Sequence, residues 1–195
     1  MLKEDLDRLK DQDFLLAKKR ISEDVISLLK DTEENLKKQI QSADFDWPER
    51  SFLKAGKISR GENYRDLPFF ILDYPRKFSK EASFAYRSMI WWGNDISFTL
   101  HLSGKDLNRY RHAFLDNISA LQDYYLCVNS TPWEYHFGPE NYQSLKELNH
   151  LTIEKHLAKD FLKISIRYEL SDIKKVPSLA VEHLNNYLLA LSKNH

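Results

Sequence analysis

The sequence has a single cysteine, Cys127. No disulfide can form within the chain, and no zinc site can be built on cysteine thiolates. Glycine is scarce too, five in 195 residues, and none belongs to a Gly-rich phosphate loop. The G-x-S-x-G nucleophile elbow and the H-E-x-x-H zinc helix are both missing. No run approaches the ~18 apolar residues that span a bilayer. The opening residues, MLKEDLDRLKDQ, lack an apolar signal segment. A reducing cytoplasm and no membrane partner are therefore expected. Net charge is also lacking: 29 Lys and Arg balance 29 Asp and Glu. That balance favours neither nucleic acid nor an acidic membrane.

Charge is unevenly spread, however. Residues 1–50 carry ten basic and thirteen acidic groups, and residues 51–115 carry eleven basic and six acidic. Six of the ten arginines lie in that middle block: Arg60, Arg65, Arg76, Arg87, Arg109 and Arg111. A positive centre in a neutral protein points to an anionic ligand, unless local carboxylates satisfy each guanidinium. Apolar residues make up 42% of the chain, enough for a sizeable core in a single domain spanning 1–195.

Residues 1–46 read as a helical segment. Phe14, Ile21, Val25, Leu28, Leu29, Leu36 and Ile40 fall near one stripe at helical spacing. Ser22 before Glu23 and Asp24 resembles a fresh N-cap, which predicts two helices there. From residue 52 the period drops to two. Leu67–Pro75 is apolar on both faces, as in a strand central to its sheet. The stretch FAYRSMIWWGNDISFTLHLSG, residues 84–104, reads as a hairpin turning at Gly93-Asn94.

Closing that hairpin with Trp92 opposite Asp95 gives two faces. One holds Ala85, Arg87, Met89 and Trp91 with Ile96, Phe98, Leu100 and Leu102. The other holds Phe84, Tyr86, Ser88, Ile90 and Trp92 with Asp95, Ser97, Thr99, His101 and Ser103. Tyr86 then stands opposite His101. A helix follows from Gly104, and Tyr124–Val128 and Trp133–Phe137 read as two strands. Pro139 is expected to open a short helix reaching Leu148. Phe161–Leu170 alternates, with Lys163, Ser165, Arg167 and Glu169 on a wet side. Pro177 starts a last helix with Val181, Leu184, Leu188 and Leu191 on its stripe. The fold class is therefore α+β: a mainly antiparallel sheet of about six strands in residues 52–195, with N-terminal helices and a C-terminal helix packed on it.

Candidate chemistry concentrates near the hairpin. His101 and His136 are strand histidines able to act as general bases. His112 lies in a helix, while His150, His156, His183 and His195 fall late, mostly at polar positions. Their spacing builds no metal site, and no cofactor motif is present. Cys127, between Leu126 and Val128, reads as a small buried hydrophobe. Asp73, Asp95 and Glu134 are the carboxylates set in or beside apolar strands. Arg87, on an otherwise apolar face, requires a partner: Asp73, Glu134 or a bound anion.

Three functional readings follow. The first is a small anionic or aromatic ligand held among Arg87, Tyr86, His101, Trp92, Tyr64 and Asp73. The second is an enzyme using His101 or His136 as base. The third is an interaction protein without a ligand pocket, its N-terminal helices mediating association and the chain a homo-oligomer. Aromatics and arginines interleave between Arg60 and Trp92, but most of those aromatics sit in apolar runs, so nucleic acid is not the expected partner.

Overall fold

The computed structural model describes residues 1–192. Among the described residues are five α-helices and seven β-strands. The helices are α1 (Lys3–Lys10), α2 (Gln12–Ser42), α3 (Gly104–Asn117), α4 (His150–Leu157) and α5 (Val176–Leu191). The strands are β1 (Lys57–Tyr64), β2 (Leu67–Phe78), β3 (Ala82–Trp91), β4 (Asp95–Ser103), β5 (Tyr125–Cys127), β6 (Tyr142–Ser144) and β7 (Phe161–Glu169). They form one antiparallel sheet in the order β1-β2-β3-β4-β7-β5-β6. The expected α+β class holds, with seven strands instead of six.

One face of the sheet carries the main core. Phe70, Leu72, Phe84, Tyr86, Ile90, Ile96, Phe98, Leu100, Leu102, Leu162 and Ile164 pack beneath α2, α3 and α5. From α5, Ala180, Leu184, Tyr187, Leu188 and Leu191 are buried against them. The Tyr187 hydroxyl donates to the carbonyls of Phe98 and Ile164, at 2.9 and 3.2 Å, so a buried phenol adds no unsatisfied group.

Helix α2 is continuous for 31 residues through Ser22. The Ser22 hydroxyl donates to the Lys18 carbonyl at 2.8 Å, one turn back, and caps nothing. The break between the two N-terminal helices falls at Asp11, whose side chain accepts from the Phe14 amide at 2.9 Å.

The β3–β4 hairpin is offset by one residue from the expected register. Asn94 N–H donates to the Trp91 carbonyl at 3.1 Å and Gly93 sits at φ +72°, so the loop takes three residues, Trp92 to Asn94. Ile90 pairs Ile96, Tyr86 pairs Leu100 and Ala85 pairs His101. Tyr86 and His101 therefore lie on opposite faces of the sheet. Both faces of this hairpin are buried, including Ser97, Thr99 and His101. Its apolar pattern consequently could not discriminate between registers.

The remaining corrections concern residues 129–148. Trp133–Phe137 forms no strand, and no α-helix runs from Pro139 to Leu148. Residues 128–142 instead cross the second face of the sheet, placing Tyr135 on Ile71, Met89 and Trp91. That cover removes the first half of the wet side expected for β7: Lys163 and Ser165 are completely buried, while Arg167 and Glu169 are exposed as expected.

Candidate functional site

The hairpin residues singled out above divide between two faces. Tyr86 lies under α5, where its hydroxyl donates to the Ala180 carbonyl at 2.7 Å and its ring meets Tyr187 at 5.8 Å. Burial pushes its hydroxyl well above the ordinary phenol range. Trp92 stacks on Phe70, with ring centroids 5.6 Å apart, on this same side. Arg87, Asp73, His101, Tyr64 and His136 gather on or beside the other face.

There the Arg87 guanidinium grips both Asp73 oxygens, Nε to Oδ1 at 2.7 Å and Nη2 to Oδ2 at 2.9 Å. The two residues are cross-strand partners, and the Tyr135 ring caps the guanidinium 4.6 Å from its carbon. Burial is the largest single influence and opposes the Arg87 charge, but the bond to Asp73 together with the charge interactions of Asp73, Tyr135 and Tyr142 outweighs it and raises the pKa of the group. Of the three partners open to Arg87 in the sequence, Asp73, Glu134 or a bound anion, the structure pairs it with Asp73. Glu134 is engaged elsewhere.

Lys163 is the residue that pattern reasoning missed. Its ammonium donates to the carbonyls of Pro132, at 2.9 Å, and Glu134. The rings of Tyr135 and Tyr142 lie 4.3 and 4.9 Å from it. Burial pushes its pKa down to about 8, with repulsion from Arg87 adding to the effect. This arrangement pins residues 132–135 to the sheet. The sole hint in the sequence was a lysine within an otherwise strand-forming run, which reads equally well as a solvated side chain.

His101 lies beside Lys163, edge-on to Trp133 and Phe161. Burial lowers its pKa to about 4, with Lys163 and Arg87 repelling the proton further. It is a neutral, enclosed ring whose Nε2 has no partner among the described residues. Nδ1 of His136 accepts from the Gly138 amide at 3.1 Å, and Nε2 lies 3.7 Å from Glu134. Tyr64 donates to Glu134 at 2.9 Å and accepts from the amides of Tyr135 and His136, at 2.7 and 3.1 Å. These contacts fasten the crossing segment at its far end. His183, read at a polar position, is buried on α5 between the hydroxyls of Tyr124 and Tyr168, at 2.6 and 2.8 Å. His195 lies outside the described residues. Asp95, at the hairpin tip, is raised to about 6 by burial, partly offset by Arg167. Cys127 is buried, and burial raises its thiol pKa.

A hollow of about 410 Å³ lies at the hairpin tip, lined by Asn94, Asp95, Arg167, Tyr168 and Glu169, and a larger one lies away from it. A groove of about 720 Å³ runs between the end of β2, the start of β3 and the first turn of α3. Its walls carry five cations, Arg50, Arg76, Lys77, Lys80 and Lys105, and two carboxylates, Glu49 and Glu81. Lys77 pairs with Asp106 at 3.0 Å and Lys105 with Glu81 at 2.7 Å. Arg50, Arg76 and Lys80 have no carboxylate partner among the described residues. Phe52 and Phe78, both well exposed, supply apolar surface, and the Arg76 guanidinium lies 4.9 Å from the centre of the Phe52 ring. Its Nε is buried without a partner.

Two backbone features shape this groove. Gly104 holds φ +56°, and a Cβ there would lie 1.9 Å from the Glu81 carbonyl oxygen, so only glycine lets α3 begin against the β2–β3 turn. Arg50 holds φ +63°, a left-handed conformation that costs a side-chain-bearing residue about 1–2 kcal/mol. The positive field is felt by Glu81, whose pKa is lowered by its bond to Lys105 and further by Arg50 and Lys77. A further hollow, of about 380 Å³, adjoins at Lys80 and Glu81 and is lined by Asn108, Arg111 and Lys159. The signal for both was the positive middle block of the sequence.

Comparison with known protein families, with curated proteins and with solved structures finds no match for this chain. Among the described residues no group of three or more His, Cys, Asp or Glu is placed to hold a metal ion. No helix among them is long and apolar enough to cross a membrane.

Proposed function

We propose that this chain binds a small anionic ligand with a planar apolar body in the groove between the β2–β3 turn and α3. The observation that carries this reading is the groove wall itself: three cations, Arg50, Arg76 and Lys80, without a carboxylate partner among the described residues, interleaved with two exposed phenylalanine rings. Guanidinium and ammonium groups recognise a carboxylate or phosphate, and the rings supply the desolvated surface that small-ligand sites use. Arg76 is the central residue, since its guanidinium lies 4.9 Å from the centre of the Phe52 ring and has no carboxylate partner among the described residues. Arg87 takes no part, because Asp73 neutralises it and Tyr135 covers it. His101 is enclosed, and the Nδ1 of His136 accepts from a backbone amide, so neither presents a base to this groove.

The test is calorimetric titration with inorganic phosphate, benzoate and a nucleoside monophosphate at low and moderate salt. Binding of at least one probe is expected, weakening as salt screens the field. It should be abolished in an Arg76→Gln, Lys80→Gln double variant that melts like the wild type. Absence of binding at about millimolar probe, or equal affinity in the double variant, would refute the reading.

A further inference from the structure

We propose that the overhanging N-terminal helices form an antiparallel dimer contact with the same helices of a second copy of this chain. Helix α2 buries a stripe of Val25, Leu29, Thr32, Leu36 and Ile40 against the body. The same stripe continues toward its N-terminus through Ile21 and Phe14, with Leu15 alongside, and there each side chain is about half exposed among the described residues. The change is abrupt: Val25 is 2% exposed and Ile21 is 45% exposed. Helix α1 adds Leu6 and Leu9, both exposed, and has no buried residue. Of the fourteen large apolar side chains exposed among the described residues, eight fall within residues 1–21. A helix as short as α1 is marginal in water without a partner to pack on.

Charge selects the occupant. Glu4, Asp5 and Asp7 outnumber Lys3 at the start of α1, Arg8 and Lys10 close that helix, Asp11 and Asp13 follow, and Lys18, Lys19 and Arg20 come next on α2, so the charge alternates in blocks along residues 3–20. Parallel packing of two copies would set acid on acid and base on base. Antiparallel packing about a two-fold axis near Asp11 sets the acidic turns of each copy beside the basic turn of the other. Leu6 and Leu9 then meet Phe14 and Leu15. A hollow of about 400 Å³ beside the α2 overhang is lined by Leu15, Lys18, Lys19, Ser22, Glu23 and Arg60, so an apolar floor sits within a basic rim. That lining suits the acidic first two turns of α1. Lys18 also bonds Glu62 of its own chain at 2.7 Å, and Lys19 lies 3.9 Å from Glu23. Both sites are solvent-exposed, and Lys18 and Lys19 can exchange those partners at little cost.

Sedimentation velocity of the full chain across a dilution series up to about 100 µM reads the outcome. The expected mass at the top of the series is twice the 23.1 kDa of the monomer. A Leu6→Glu, Phe14→Glu variant is expected to run as monomer with an unchanged circular dichroism spectrum, since neither side chain packs on the body. Asp5→Lys, Asp7→Lys alone and Lys19→Glu, Arg20→Glu alone should each dissociate the dimer, and the four changes together should restore it. A wild type that is monomeric throughout overturns the proposal, whether or not it floats with neutral or anionic vesicles. So does a dimer that survives Leu6→Glu, Phe14→Glu, or one that the fourfold variant fails to restore.

Discussion

His101 and Lys163 stand opposite each other across the β4–β7 pair, both buried on the face of the sheet that residues 128–142 cover. Two basic groups share one desolvated layer, and folding disfavours the charge on each. His101 loses its proton outright at neutral pH. Lys163 keeps its own because two carbonyls and two aromatic rings surround it.

The pH dependence of stability follows from Lys163. Its pKa is about 8 in the folded chain and near the ordinary 10.5 when unfolded. Below pH 8 both states hold the proton, and the cost of burying the charge is constant. From about pH 8 upward the folded chain releases a proton that the unfolded chain still binds, so stability rises with pH. The full effect is on the order of 3 kcal/mol. Cys127 opposes it, since burial raises its thiol pKa, and so do tyrosines raised to about 12, such as Tyr124 and Tyr135. Comparison with Lys163→Met isolates the lysine. Urea midpoints at constant ionic strength should climb more steeply between about pH 8 and pH 10 in the wild type than in the variant. Identical slopes would show that Lys163 does not titrate in that window.

Breaking the Arg87–Asp73 pair should be costly on either side. Asp73→Asn leaves a buried guanidinium facing a neutral amide, and a loss of about 3–5 kcal/mol is expected. Arg87→Met should cost less than Arg87→Ala, because methionine keeps the packing of the side-chain stem. Thermal melts of the three variants give the ranking, and an Arg87→Ala protein as stable as Arg87→Met would contradict the packing argument.

Phe98 is fully enclosed between α5 and the sheet, its ring 5.4 Å from His183 and 6.1 Å from Tyr168. Phe98→Ala should lower stability by about 3–5 kcal/mol through lost burial and the cavity left behind. The chemical denaturation midpoint measures this, and a midpoint matching the wild type would contradict the enclosed position of Phe98, since lost burial costs stability even where the core relaxes.

The continuity of α2 through Ser22 was not legible, whereas local pattern alone was enough for the α+β class, the apolar helical stripe of residues 14–40, the final helix at Pro177 and the need of Arg87 for an anionic partner. Each rests on local chemistry: helical periodicity, strand composition, and the cost of an unpaired buried charge. The hairpin register, the fate of Lys163 and the place of the groove depend on long-range packing. Alternation along a strand reports which side is buried only when the other side is wet. Here residues 128–142 cover that other side, so Ser97, Thr99, His101, Lys163 and Ser165 are interior positions written in polar residues. The groove joins Arg50 and Phe52 to Arg76, Lys80 and Lys105, residues far apart in the chain. The middle block announced its positive charge, but only the close approach of Gly104 to Glu81, between α3 and the β2–β3 turn, gathers those cations around one space.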